Sequence, residues 1–169
     1  MERRFGWHTD PADTVAIGDL VQASFSSVMA FSEPGGAILL QLPSYPPFIR
    51  AIEDTGRRLI VNPMRDEGTR WVLDLGAYEA APDPRLRMLI FCHPQNPTGR
   101  AFSRAELEEV AEFTIRHDLV VVSDEIHADI VYPGNQHIPL ASLHPETAAR
   151  TITITSATKS STSPRCAAP

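Results

Sequence analysis

Cysteine is scarce in this chain of 169 residues, with only Cys92 and Cys166. The pair is too few and too far apart for a disulfide framework or a cysteine metal cluster, and it fits a reducing compartment. The six histidines (His8, His93, His117, His127, His137 and His144) show no metal-ligand spacing. Positive charge is also in deficit: 15 Lys and Arg stand against 21 Asp and Glu, a formal net charge of -6. That balance excludes the basic footprint that nucleic acid or an anionic membrane surface requires. No apolar run approaches the roughly 18 residues of a membrane-spanning helix. The opening MERRFGWHTDP has basic residues but no apolar segment behind them, so it does not read as a secretory signal. The sequence therefore predicts a soluble, cytoplasmic protein without a nucleic-acid or membrane partner.

What is present is an ordinary globular composition, 43% hydrophobic and 21% charged, in a length that suits one domain. Short aliphatic or β-branched runs alternate with longer amphipathic stretches, the pattern of βαβ units and a mostly parallel sheet with flanking helices. Strands are predicted at Thr14–Ile17, Ala37–Leu42, Leu59–Asn62, Trp71–Leu75, Leu86–Cys92, Leu119–Ser123 and Thr151–Thr155. Helices are predicted from Gly18 to about Phe31 and from Pro46 to Asp54. Met64–Gly68 reads as a turn, and Gly76–Ala81 as helix or loop. Ser103 with Glu106 forms a capping box that starts a helix to about Arg116, with Leu107, Val110, Ala111 and Ile115 on its apolar face.

Three polar residues fall at the carboxyl ends of predicted strands, where open α/β sheets bind ligands. Asn96 lies in the loop HPQNPTG after one strand, Asp124 follows the next, and Lys159 stands in TSATKS just beyond a third. A lysine to form an imine, a carboxylate to keep a pyridine nitrogen protonated and an amide for a phenolic oxygen are what pyridoxal 5′-phosphate (PLP) requires. HPQNPTG, SDEIHADIVY and TSATKS, in that order, resemble the core of the class I/II, fold-type I aminotransferases. SDEIH, the earlier PSYPPF and the later HIPLASL are similar to the cystathionine β-lyase or C–S lyase branch of that family.

The resemblance implies the following roles. Lys159 matches the Schiff-base lysine, which also moves the substrate Cα proton. Asp124 matches the partner of the pyridinium nitrogen, where a helix N-cap is the plain alternative. Asn96 matches the donor to the phenolic oxygen, against an ordinary turn asparagine. Tyr45 matches the aromatic that stacks on the ring, against a partly buried tyrosine. Gly18, Asp19 and Leu20 match the segment whose backbone N–H groups meet the phosphate at a helix N-terminus. Ser156 matches a hydroxyl on the same phosphate. His127 occupies the place, one helical turn after Asp124, where relatives carry Tyr or His near the phenolic oxygen; packing or exposure is its alternative.

After Lys159 the family pattern continues through an aromatic and an asparagine to an arginine that pairs with the phosphate. Here SSTSPRCAAP places Arg165 two positions closer to the lysine. Residues 1–160 are accordingly expected to form a partial PLP-binding large domain, and residues 161–169 an aberrant tail of the kind a frameshift or small deletion leaves. The segments that precede and follow this region in relatives, including the small domain with its carboxylate-binding arginine, are expected to be missing. Three readings stay open. The first is β-elimination from cystathionine or another cysteine S-conjugate to thiol, pyruvate and ammonia; the second is transamination of an amino-acid substrate; the third is a truncated, catalytically inactive product. Family members are usually homodimers with the active site at the subunit boundary.

Overall fold

A computed structural model describes residues 1–79 and 82–156. In chain order the elements are α1 (Glu2–Phe5), α2 (Leu20–Phe31), β1 (Ala37–Leu42), α3 (Pro46–Glu53), β2 (Arg58–Pro63), β3 (Arg65–Asp66), β4 (Trp71–Val72), α4 (Gly76–Glu79), β5 (Leu86–Cys92), α5 (Arg104–Arg116), β6 (Val120–Asp124), α6 (Pro145–Ala148) and β7 (Thr151–Ile154). Five strands form one parallel sheet in the order β2-β1-β5-β6-β7, and β3 and β4 pair separately as a small antiparallel ladder.

The sheet is covered on both faces, which is why its inner strands read as nearly continuous apolar runs. Strand alternation sends Ile38, Leu40, Met88, Ile90, Cys92, Val122 and Ile154 to one side, where they meet Ala23 and Val28 of α2 and Phe48, Ala51 and Ile52 of α3. Leu39, Leu89, Phe91 and Val121 face the other way and pack on Leu107, Val110 and Phe113 of α5. The α2/α3 layer and the α5 layer thus sandwich the sheet, as in doubly wound α/β folds.

Helix α5 begins where the capping box is read. The Ser103 Oγ accepts from the Glu106 N–H at 3.3 Å, and the Glu106 carboxylate accepts from the Ser103 N–H at 2.8 Å. Its buried face holds Leu107, Val110, Ala111, Phe113 and Thr114, with Ile115 only partly covered. Replacing Ser103 by Ala is expected to lower stability by ~1 kcal/mol, read by urea unfolding; an unchanged midpoint would mean the cap contributes nothing. Helix α3 starts on two prolines, Pro46 and Pro47, whose missing N–H groups cost nothing in a first turn.

Three local expectations need correction. Thr14–Ile17 is not a strand but irregular chain, with Val15 83% and Ile17 42% exposed. Its β-branched composition finds no neighbouring strand, and without a ladder or burial that propensity decides little. The segment Met64–Gly68 is more than a turn: Arg65 and Asp66 pair with Val72 and Trp71 in a short hairpin whose bend uses Gly68 at φ 78°. The predicted strand Trp71–Leu75 keeps only Trp71–Val72. At the end of α5 the chain turns through Asp118 at φ 49°, a left-handed position that carries no glycine signal in the sequence.

Candidate active site

The strand order fixes where a ligand can sit. From β1 the chain passes through α3 to β2 on one side, whereas from β5 it passes through α5 to β6 on the other. The crevice between the carboxyl ends of β1 and β5 is therefore the topological switch point. Tyr45 follows β1 and Asn96 follows β5, so the two loops flank that crevice. Gln95 ties them together: its Nε2 donates to the Pro43 carbonyl at 2.7 Å, and its Oε1 accepts from the Thr98 N–H at 2.9 Å. Tyr45 is half-buried and meets Phe48 edge-on, with ring centroids 5.7 Å apart. Asn96 is also half-buried, on the loop that Gly99 closes at φ 73°.

Asp124 is the last residue of β6 rather than the first beyond it, and it is 2% exposed. Its main chain is held from both sides. The His93 N–H donates to the Asp124 carbonyl at 2.9 Å, and the next N–H, that of Glu125, donates to the Ile154 carbonyl at 2.8 Å. The carboxylate shares a face with Cys92 and Ile154, on the α2 side of the sheet. Its Oδ1 accepts from the Ile126 N–H at 3.1 Å, and the Cys92 Sγ lies 3.7 Å from Oδ2. Among the described residues no arginine or histidine pairs with it. Burial pushes the Asp124 carboxyl up to about 6, against the opposing pull of the Ile126 N–H, with the Glu125 charge adding to the rise. Burial also raises the Cys92 thiol, which stays protonated.

Helix α2 leads into β1 and packs beside β6 and β7. It runs antiparallel to the strands, which puts its N-terminus at the same carboxyl edge as Asp124. Asp19 is its N-cap, accepting from the Gln22 N–H at 2.8 Å, while the Gly18 N–H donates to the Gln22 Oε1 at 3.2 Å. The Asp19 carboxylate is thereby engaged in capping. The N–H groups of Leu20 and Val21, which have no acceptor within the helix, remain the natural anion donors. Ser156 lies two residues beyond β7 at this edge, and His127 sits in a turn over Ile126–Asp129 rather than in a helix. Lys159, Arg165 and the rest of the segment 157–169 lie outside the described residues.

One cluster carried no assigned role in the sequence. Glu125, wholly buried, accepts from the Ser123 Oγ at 2.9 Å and the Leu140 N–H at 3.1 Å, and its Oε2 lies 2.8 Å from the His137 Nε2. His137 stacks on His93 with centroids 4.7 Å apart. Burial, then the neighbouring His137, pushes His93 down to about 3, so its ring is neutral. The available signal was a glutamate directly after a buried apolar strand, a position that demands a partner.

A buried carboxylate with no cationic neighbour among the described residues, an aromatic beside a switch-point crevice and helix N–H donors at the same edge together fit a flat cationic ring bearing an anionic tail. PLP is such a group.

Comparison with known proteins agrees. Cystathionine beta-lyase PatB of Bacillus subtilis is 36% identical over 160 residues, covering 94% of this chain and 41% of that protein. The probable N-succinyldiaminopimelate aminotransferase DapC of Mycobacterium tuberculosis is 35% identical over 158 residues, covering 93% and 40%. The crystal structure of cystalysin from Treponema denticola, which contains a pyridoxal 5′-phosphate cofactor, superposes with a TM-score of 0.90 at 30% identity, over 94% of this chain and 41% of that one. The chain thus spans about two fifths of the length of these relatives. Residues 3–166 match the family described as aminotransferase class I and II. With that match across nearly its whole length, on a doubly wound parallel sheet, the chain belongs to the class I and II aminotransferase family of PLP-dependent enzymes.

Proposed function

We propose that this chain is the PLP-binding portion of a carbon–sulfur β-lyase acting on cystathionine or a related cysteine S-conjugate, with thiol, pyruvate and ammonia as products. The observation that carries the cofactor half of this reading is the buried Asp124 carboxylate at the carboxyl edge, which lacks a cationic partner among the described residues. The lyase half rests on 36% identity to a cystathionine β-lyase. PLP, when bound, supplies an electron sink for negative charge at the substrate Cα.

The residues divide the work. Asp124 would hold the proton on the pyridine nitrogen, and Asn96 would donate to the phenolic oxygen. Tyr45 would stack on the ring, and His127 would serve near the phenolic oxygen. The backbone of Gly18, Asp19 and Leu20 with the Ser156 hydroxyl would bind the phosphate, the Leu20 N–H being open and the Gly18 N–H having to leave the Gln22 side chain. Lys159 would be the covalent attachment point for the cofactor, and its amine would be the base that removes the substrate Cα proton. The Cβ–S bond then breaks and the sulfur leaves as thiolate, which takes up a proton. Water completes the release of pyruvate and ammonia. The substrate is a small amino acid in the cytoplasm, and the working assembly is a homodimer; nucleic acid and membrane have no part.

Transamination is the second reading, favoured by 35% identity to a probable aminotransferase. The test is to supply the protein with PLP and L-cystathionine, with and without a 2-oxo acid. Pyruvate and thiol released without the oxo acid are expected. Amino-group transfer to the oxo acid without thiol release would establish the aminotransferase, and neither product from a folded, PLP-loaded chain would establish the inert reading.

A further inference from the structure

The Glu125–His137 pair is wholly buried and belongs to no binding role assigned above. Strand alternation sends Asp124 to the α2 face and Glu125 to the α5 face, so the two adjacent carboxylates diverge. Glu125 engages three groups: the Ser123 hydroxyl of the strand just before it, the Leu140 N–H and His137 from the returning loop. His137 in turn stacks on His93 at 4.7 Å, and the Phe102 N–H donates to the His93 Nδ1 at 3.3 Å. His93 and Phe102 bracket the loop that carries Asn96. One continuous buried path therefore joins the peptide of Asp124 to both ends of the Asn96 loop.

We propose that Glu125 and His137 are positioning residues that clamp the His93–Phe102 loop and the 137–140 segment to the end of β6, holding Asn96 and Asp124 in one frame for the cofactor. The role in cofactor binding rests on the PLP reading above; the clamp itself does not. A glutamate at this depth is retained only because all three partners are present, and removing one strands a buried polar group.

The test compares this chain with its Glu125→Gln and His137→Ala variants, with His137→Gln as the rescue, since its amide can donate in place of the ring. Hydrogen exchange without cofactor is read first. Exchange at Leu140 and across residues 93–102 should accelerate about tenfold or more in the first two variants, while β1 and α3 keep their protection; His137→Gln should restore much of the difference. Unchanged exchange at 93–102 in folded variants overturns the clamp, whether or not PLP binds. PLP affinity is read second and should fall by a similar factor. A loosened loop with unchanged affinity overturns the positioning role. A wild-type chain that shows the exchange pattern yet binds no PLP overturns the cofactor reading and leaves the clamp standing. The carboxyl carbon of Asp124, followed by NMR, should titrate at lower pH in Glu125→Gln than in His137→Ala, because both variants loosen the packing but only the first removes the neighbouring negative charge.

Discussion

Replacing Asp124 by Asn is expected to stabilise the cofactor-free chain near neutral pH by up to ~3 kcal/mol while abolishing its retention of PLP. The carboxyl has an ordinary value of 3.8 and is pushed up to about 6 in the fold, with burial the main cause. A raised value means that the folded chain binds the proton more tightly than the unfolded chain does. The stability contributed by this group is therefore complete below 3.8, declines as pH rises through the interval and is lost above about 6. Ionised and without a cationic partner among the described residues, Asp124 opposes folding near neutrality. Asparagine keeps the Oδ1 acceptor for the Ile126 N–H and removes the charge. Urea unfolding of wild type and variant, near pH 4 and near pH 7.5, reads the effect: the two should converge at the lower pH and separate at the higher. Parallel pH profiles would show that burial exerts no such cost. A pyridinium placed against the carboxylate reverses the sign for the wild type, so PLP should raise its stability and leave the variant unchanged. Both outcomes together would mark Asp124 as a residue kept for binding, at a cost to the fold without ligand.

Borohydride treatment of the PLP-loaded chain is expected to fix the cofactor covalently on the peptide containing Lys159, and the Lys159→Ala variant should take up no label while retaining weaker, non-covalent binding. The chain makes this a clean experiment, because Lys159 is its only lysine, the other fourteen basic residues being arginines. The terminal amine of Met1 is then the sole competing primary amine, and peptide mass spectrometry separates the two. Label on Met1, or none on a folded chain that binds PLP, would remove Lys159 from the assignment. The visible absorption of the bound cofactor should be lost in the same variant, giving an independent reading of the same bond.

The parts of the fold legible in advance were those with dense local signals. Strand β5 (Leu86–Cys92) and helix α5 were bounded correctly because an apolar run stops at Pro94 and a capping box starts the helix at Ser103. Thr14–Ile17 misled because β-branched residues were read as a strand that has nothing to pair with. Arg65 and Asp66 concealed a strand for the converse reason: charged residues with poor strand propensity are held in a ladder by Trp71 and Val72 across the bend. At the site, Tyr45, Asn96 and Asp124 could be named from their motifs. Gln95, which joins the β1 and β5 loops across the crevice, was hidden inside one of those motifs. The Glu125–His137–His93 cluster was hidden for a different reason, as it joins residues 12 to 44 positions apart in a chain where nothing local announces the contact.

The sequence by itself determined the alternation of strands and helices, the order of the three motifs and the chemistry they require, because those are consequences of local spacing and residue type. It also determined the single lysine. Tertiary structure alone decided that β1 and β5 are neighbours with the switch point between them, that α2 brings its N-terminus to the edge where Asp124 lies, and that Asp124 and Glu125 turn to opposite faces with opposite fates. Among the described residues Asp124 meets the thiol of Cys92 and one backbone N–H, which leaves its charge uncompensated there; Glu125 meets a hydroxyl, a histidine and a backbone N–H, so its charge is spent within the fold. Two adjacent carboxylates in one motif are indistinguishable by local sequence, and what separates them is which face of the sheet each side chain enters and what waits there.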